Sequence, residues 1–167
     1  MNRVGIGYDV HGFRNNGPLT LGGVKVPFER SLAGHSDGDV LLHAIMDAML
    51  GAAALKDIGH QFPDTDVRFK GANSAKLLAE VRTMIEAEGL TVGNVDCVVI
   101  VERPRLAKYI ERMRARLAEL LGVGVAAVGV KAKTNEGFGY IGEGEAIAAW
   151  AVVMLQPLEE EKAGALS

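Results

Sequence analysis

The chain of 167 residues has little of several residue types, and each scarcity excludes a class of protein. A single cysteine, Cys97, rules out internal disulfide bonds. The 18 basic and 21 acidic side chains nearly cancel, so no overall basic field would attract nucleic acid or an anionic membrane. No apolar run reaches the ~18 residues of a membrane span, and the N-terminus has no signal-peptide pattern. We therefore expect a cytoplasmic protein with no nucleic-acid or membrane partner.

The chain also lacks internal repeats and linkers rich in proline or serine. Its length is typical of one domain. We expect a single domain over residues 1–156 and a disordered tail over residues 157–167.

Hydrophobic patterns predict an α+β fold, in which helices pack on one face of a mixed four-stranded sheet plus a small N-terminal hairpin. Strands are expected at residues 3–8, 20–26 (a hairpin around Gly22-Gly23), 92–102, 125–133 and 145–155. Helices are expected at residues 40–55, 73–88 and 104–121. The last strand is rich in alanine and apolar on both faces, so its second face needs a cover that another subunit can supply.

Acidic residues and histidines are spaced like metal ligands in two places. Asp9 and His11 are two residues apart in extended chain, so both point to one face with Cα atoms ~6.6 Å apart. His43 lies in the first predicted helix with Asp47 one turn later, which makes Asp47 a candidate to orient a metal-bound imidazole. Each pair is also common without a metal, as a polar contact in a loop or on a helix.

Four further polar segments suit either a ligand site or ordinary loop structure. Residues 35–39 open the first helix, where free backbone N–H groups attract anions, and Ser36 can cap that helix. Residues 57–59 and 62–66 place carboxylates in a loop, where they can also form Asx-turns. Residues 131–144 combine glycines with two lysines, which suits a phosphate site or a flexible hairpin loop.

Taken together, these segments resemble the 2-C-methyl-D-erythritol 2,4-cyclodiphosphate synthase family over residues 1–155. The motifs that carry the resemblance are Tyr8-Asp9-Val10-His11, Leu21-Gly22-Gly23-Val24, His35-Ser36-Asp37-Gly38-Asp39-Val40, Asp57-Ile58-Gly59, Phe62-Pro63-Asp64-Thr65-Asp66 and Thr134-Asn135-Glu136. The resemblance implies a phosphorus–oxygen lyase of non-mevalonate isoprenoid biosynthesis. It would convert 4-diphosphocytidyl-2-C-methyl-D-erythritol 2-phosphate, a cytidine diphosphate-linked substrate, into the 2,4-cyclodiphosphate and CMP.

The resemblance also implies the residues of the site. Asp9, His11 and His43 would hold Zn²⁺, and Glu136 would bind a second ion, Mg²⁺ or Mn²⁺. His35 and Thr134 would stabilise the transition state. The residues implied to contact substrate are Asp9, His11, His35, Ser36, Asp57, Ile58, Gly59, Phe62, Pro63, Asp64, Thr65, Asp66, Val101, Pro104, Arg105, Leu106, Ala132, Lys133, Thr134, Asn135, Glu136 and Tyr140.

The resemblance further implies a homotrimer around the sheets with sites between subunits, which gives the last strand its cover. Two other functions stay open on the residues alone. One is a different metal-dependent phosphoesterase that uses water as nucleophile. The other is a non-catalytic protein that binds isoprenoid or nucleotide phosphates.

Overall fold

A mixed five-stranded sheet organises the computed structural model, which describes residues 1–34, 36–69 and 71–158. The strands are β1 (Arg3–Arg14), β2 (Leu19–Leu21), β3 (Val24–Val26), β4 (Ser31–Leu32), β5 (Leu90–Ile100), β6 (Val128–Lys133) and β7 (Ala146–Pro157). The sheet order is β4-β1-β7-β5-β6, and β5 and β6 are parallel while the other neighbours are antiparallel. β2 and β3 form the separate hairpin expected from Gly22-Gly23.

The helices are α1 (Val40–Ala52), α2 (Ile58–Gln61), α3 (Ser74–Ala87), α4 (Ile110–Leu121) and α5 (Gly139–Gly142). α1 is buried on almost every side because it packs on β1 and β7 and is covered by α3. The α+β fold with helices on one face of a mixed sheet is thus confirmed. In the described part of the chain, no helix has the length and apolar character needed to cross a membrane.

The expected count of four strands is wrong because β1 does not end at residue 8. It continues to Arg14, and its last two residues pair with Ser31 and Leu32, which adds the short edge strand β4. At the other end of the chain, β7 continues to Pro157, so the first residue of the expected tail is ordered in the sheet. Residues 159–167 of that tail lie outside the described residues.

Asp39, and not Ser36, caps α1. Its carboxylate accepts hydrogen bonds from the backbone N–H groups of Leu42, Gly22 and Gly23, which joins the helix to the hairpin. Burial raises the pKa of Asp39 above its ordinary value, and these three N–H donors partly offset that effect. The segment before α1 is therefore longer than the sequence pattern indicates, and Ser36 is left available for other contacts.

Gly5 and Gly7 let β1 lie directly against α1. A Cβ atom at Gly5 would lie 2.0 Å from the carbonyl oxygen of Ala48, and one at Gly7 would lie 1.9 Å from that of Ala44. No side chain fits there, so the contact requires glycine at both positions. Asp9 continues the same face of the strand, since alternate residues point to one side.

The other face of β1 and β7 has no cover within the described residues. Its exposed apolar side chains are Val4, Ile6, Tyr8, Val10, Trp150 and Val152, between 43% and 69% exposed. The rings of Tyr8 and Trp150 contact each other with centroids 4.6 Å apart. We call these six residues the open face.

Candidate active site

Asp9, His11 and His43, the triad, bring three donor atoms together where β1 faces α1. Asp9 Oδ2 lies 2.8 Å from His11 Nε2 and 3.0 Å from His43 Nδ1, and the two nitrogens are 3.2 Å apart. Tetrahedral ligands at about 2.0–2.1 Å from zinc lie about 3.3 Å from one another, so these atoms fit zinc after shifts of about half an ångström or less. Among the described residues, this is the one group of three or more His, Cys, Asp or Glu side chains close enough to hold a metal.

Hydrogen bonds orient both imidazole rings from the side opposite the triad centre. His11 Nδ1 donates to the carbonyl oxygen of Ala33, which leaves the lone pair of Nε2 for a metal. His43 Nε2 lies 2.9 Å from Ser36 Oγ and 3.1 Å from Ser74 Oγ. Sequence reasoning missed Ser74, because its contact joins the start of α3 to α1 and no local pattern signals it.

The charges of the triad stabilise one another. Burial opposes the charged form of Asp9, but hydrogen bonds from His11 and His43 outweigh it and lower the pKa of this carboxyl to about 2. Burial likewise opposes protonation of His11, but its hydrogen bond to Asp9 prevails and raises the pKa of the imidazole above 6.5. Asp9 is therefore an anion at neutral pH, the form in which a carboxylate binds a metal.

The triad lines a cavity of about 530 Å³, the triad cavity. Its lining includes the sequence-predicted residues Asp9, His11, Ser36, Ile58, Gly59, Phe62 and Asp64, together with the metal-ligand candidate His43. Sequence reasoning missed three apolar residues of its wall, Met46, Phe69 and Leu77. Phe62 and Phe69 meet edge to face with ring centroids 5.2 Å apart. A cation site beside an apolar wall suits a ligand that carries phosphate on a hydrocarbon body.

Asp47 and Asp57 line a smaller neighbouring cavity of about 230 Å³. Asp47 Oδ1 accepts the backbone N–H of Ile58 at 2.8 Å, and both ring nitrogens of His43 have other partners. The hydrogen bonds therefore do not support the expected role of Asp47 in orienting His43. The i, i+4 spacing places both residues on one helix face, but the Asp47 carboxylate bonds to the backbone after α1. Asp57 caps α2 and pairs with His60, whose hydrogen bonds lower the pKa of the Asp57 carboxyl.

Other predicted contacts lie in the loop after α2. Asp66 pairs with Arg68, whose hydrogen bonds lower the pKa of the Asp66 carboxyl. Pro63 and Thr65 belong to the same loop and do not line the triad cavity. His35 lies outside the described residues.

The remaining predicted residues surround the end of β6. A second cavity of about 310 Å³, the β6 cavity, is lined by the predicted residues Val101, Pro104, Arg105, Leu106, Ala132, Lys133 and Thr134. Glu102 also lines this cavity, and its hydrogen bonds to the turn after β6 had no signal in the sequence. Glu102 Oε1 accepts the backbone N–H groups of Asn135 at 2.7 Å and Gly137 at 3.5 Å, and so holds the turn after the strand.

Glu136 lies in that turn and has a left-handed backbone with φ 52°. A side chain other than glycine rarely adopts this conformation, so the surrounding hydrogen bonds must hold it. Thr134 Oγ1 donates to Glu136 Oε1 at 2.8 Å. Tyr140, in α5, is 79% exposed and lines neither the triad cavity nor the β6 cavity.

The triad cavity and the β6 cavity share no residue. The sheet register explains the separation, since Asp9 pairs with Ala149, Ala149 with Val99, and Val99 with Ala132. Three strand spacings of ~4.8 Å place the two ends of this row ~14 Å apart. One chain thus holds two separate cavities at the same end of its sheet, without joining them.

Comparison with known proteins identifies the family. A model of the YgbB family matches residues 2–156 of the chain. The chain belongs to the YgbB family. A curated relative, 2-C-methyl-D-erythritol 2,4-cyclodiphosphate synthase of Alkaliphilus oremlandii, is 54% identical over 153 residues, which cover 92% of this YgbB-family chain and 98% of the relative. The synthase of the same name from Listeria monocytogenes serotype 4a is 53% identical over 156 residues, or 93% and 99% of the two chains.

Solved structures agree with this membership of the YgbB family. The CDP complex of IspF from Plasmodium falciparum is 35% identical with a TM-score of 0.82, covering 95% of this chain and 97% of that one. A bifunctional IspDF from Campylobacter jejuni is 40% identical with a TM-score of 0.90, and covers 94% of this chain. The match spans 42% of that bifunctional chain. The resemblance inferred from the six motifs is confirmed.

Proposed function

We propose that this YgbB-family chain is a metal-dependent 2-C-methyl-D-erythritol 2,4-cyclodiphosphate synthase, a phosphorus–oxygen lyase of isoprenoid biosynthesis. The convergence of the three triad donor atoms beside an apolar cavity carries the proposal. The names of relatives more than 50% identical over nearly the whole chain support it. Residues 1–156 form the catalytic domain, and the enzyme works in the cytoplasm.

The reaction needs orientation and charge neutralisation more than a protein nucleophile. An oxygen of the substrate's 2-phosphate forms a bond to the β-phosphorus, and the bond from that phosphorus to the oxygen bridging it to the α-phosphate breaks. CMP leaves with the bridging oxygen. The triad cavity holds the methylerythritol and ribose part, with Asp57 and the loop 62–66, while the β6 cavity holds the cytidine. His35 and Thr134 stabilise the charge of the transition state.

Zinc bound at the triad would supply a Lewis acid that polarises a phosphate oxygen. Asp9 lowers the charge of the bound ion, while His11 and His43 present neutral nitrogens held by their outer hydrogen bonds. Glu136 offers a carboxylate, the ligand type that Mg²⁺ or Mn²⁺ prefers beside phosphate. Its rare backbone conformation and its contact with Thr134 support this role.

The enzyme is a homotrimer whose sites lie between subunits. Within one chain the row of paired residues from Asp9 in the triad to Ala132 in the β6 cavity spans ~14 Å, whereas the two phosphorus atoms of a diphosphate are joined through a single oxygen. A neighbouring subunit that brings its own β6 cavity to the triad completes the site. The open face, apolar and uncovered by the chain's own helices, supports contact with other subunits.

Phosphorus NMR of the purified protein with the cytidyl substrate, zinc and magnesium tests the activity. We expect the cyclic diphosphate and CMP as products. Inorganic phosphate or a linear product would indicate a phosphoesterase that uses water, and tight binding without turnover would indicate a binding protein. Either result from zinc-loaded protein would overturn the proposal.

Mixing two inactive variants tests whether the site is shared. His43→Ala removes a triad ligand and Glu136→Gln weakens the other half-site, so neither homotrimer should turn over at the normal rate. After subunit exchange, about a quarter of the shared sites in a random mixture combine one intact half from each variant and should regain activity. No recovery after verified exchange would place the whole site within one chain. A sedimentation mass equal to the 17.7 kDa monomer at micromolar concentration would exclude the trimer.

A further inference from the structure

A buried hydrogen-bond chain lies behind His43, on the side of the ring opposite Asp9 and His11. Ser74 Oγ lies 3.1 Å from His43 Nε2 and donates to Asp37 Oδ1 at 2.5 Å. Asp37 Oδ2 also accepts the backbone N–H of Ser74 at 3.1 Å. Ser74 is 0% exposed and His43 is 8% exposed, so water has little access to this side of the ring.

Metal binding and this hydrogen-bond chain favour the same tautomer of His43. A serine hydroxyl has one hydrogen, and that of Ser74 points to the Asp37 carboxylate, which can only accept. When Nδ1 of the neutral ring binds a metal, the hydrogen lies on Nε2, and Ser74 Oγ is placed to accept it. Nδ1 is the ring nitrogen that faces the triad, 3.0 Å from Asp9 Oδ2 and 3.2 Å from His11 Nε2, so a metal held there takes the lone pair of Nδ1. Ser36 Oγ also lies 2.9 Å from Nε2 and 3.2 Å from Ser74 Oγ, but Ser36 lines the triad cavity, whereas Ser74 is fully buried and bonded to a carboxylate.

We propose that Ser74 and Asp37 are positioning residues that hold His43 as the Nε2–H tautomer and so set the affinity of the triad for zinc. The inference rests on the metal site of the proposed function and extends it to residues outside that site. An anion at the far end of the chain strengthens each hydrogen bond toward the ring and makes the metal-facing nitrogen more basic. The start of α3 thereby controls a ligand that α1 carries.

Zinc affinity, measured by competition with a chromophoric chelator, tests the proposal without use of activity. Ser74→Ala should weaken zinc binding about 10- to 100-fold, the usual effect of losing a partner of a metal-bound histidine. Asp37→Asn should weaken it less, since an amide oxygen can still accept from the serine hydroxyl. The matched control is Asn73→Ala, because Asn73 caps the same end of α3 through Ala75 without contacting His43. It should lower the melting temperature and leave zinc affinity unchanged.

Proton and nitrogen NMR of the zinc-loaded protein supplies a second readout. In the wild type, His43 should show a downfield Nε2–H proton that exchanges slowly with water and has a cross-relaxation peak to Ser74. In the Ser74→Ala variant this proton should move upfield and exchange faster. Equal zinc affinity of wild type and Ser74→Ala, or an equal loss in Asn73→Ala, would overturn the positioning role alone. A wild-type protein that binds no zinc would refute the metal site itself, and this inference with it.

Discussion

The triad and the turn after β6 are built in opposite ways, although both are proposed to bind a metal. The triad side chains lie on a strand and a helix in direct backbone contact, and they are between 10% and 25% exposed. Glu136 lies in an exposed turn, and one carboxylate, that of Glu102, holds the backbone of this turn. The first site is set by the packing of two large elements. The second is set by a few local hydrogen bonds, so we expect it to depend more on substrate and on the neighbouring subunit.

His43→Ala should give the largest effect, because it removes one of three ligands from a rigid site. Zinc affinity and turnover should fall together by more than about 100-fold. Loss of a residue that only orients a metal ligand costs about 10- to 100-fold. Metal analysis after dialysis and a steady-state assay with added zinc measure the two quantities. A variant that keeps full zinc and full rate would remove His43 from the ligand set.

Glu136→Gln should affect the proposed magnesium site and leave the triad unchanged. Zinc content should stay at the wild-type level, because Glu136 is not part of the triad. Turnover should fall roughly tenfold or more at fixed magnesium, since an amide binds a hard cation more weakly than a carboxylate. The assay is a magnesium titration of the rate, and a curve that matches the wild type would contradict the proposed role.

Gly7→Ala tests whether backbone contact between β1 and α1 sets the triad. Its Cβ would lie 1.9 Å from the carbonyl oxygen of Ala44, so the helix must shift, at a cost of about 1–3 kcal/mol in the free energy of unfolding. Zinc affinity should fall as well, because α1 carries His43. The matched control is Gly12→Ala in the same strand, where the nearest atom to a new Cβ is 3.8 Å away. Denaturant unfolding and a zinc-competition assay measure the stability and the zinc affinity of both variants. Equal losses in Gly7→Ala and Gly12→Ala would show that the contact between β1 and α1 does not set the triad.

The smallest effect is a pH dependence of stability in the metal-free protein. The pKa of Asp9 is about 2 in the fold and 3.8 as the reference, so its stabilisation is complete above pH 3.8 and is lost as the pH falls through about 2. Solvent screening at a side chain 25% exposed reduces the expected loss to about 1 kcal/mol. The raised pKa of His11 acts in the opposite sense, since its stabilisation is present below pH 6.5 and is lost as the pH rises through the folded value.

Unfolding of chelator-treated protein across this range measures both slopes. Asp9→Asn should flatten both, because the hydrogen bond between Asp9 and His11 contributes to both shifts. A variant with unchanged slopes would show that other groups control acid stability.

Long, strongly patterned elements could be predicted from the sequence, and short or distant features could not. Gly22-Gly23 indicated the hairpin, and β-branched residues indicated β5. The end of β1 could not be placed, since its continuation to Arg14 depends on pairing with residues 31–32 far along the chain. Short helices such as α5 have too few residues to show a period.

The same division applies to the site. The two-residue spacing of Asp9 and His11 put both on one face of an extended strand, as the structure has it. Ser74 and Glu102 gave no signal, because each acts through a contact more than 30 residues away in sequence. Asp47 shows the converse error. Its spacing from His43 correctly predicted a shared helix face, but its carboxylate accepts a hydrogen bond from the backbone N–H of Ile58 and not from His43.

The separation of the triad cavity from the β6 cavity has a consequence for inhibitor design. A compound confined to the triad cavity would bind an isolated chain as tightly as the assembly. In the proposed homotrimer, a compound that fills both parts of a shared site would contact two chains, so its apparent potency would rise with protein concentration as the chains assemble. Dose–response curves recorded at several enzyme concentrations would sort candidate inhibitors into these two groups before any complex is crystallised.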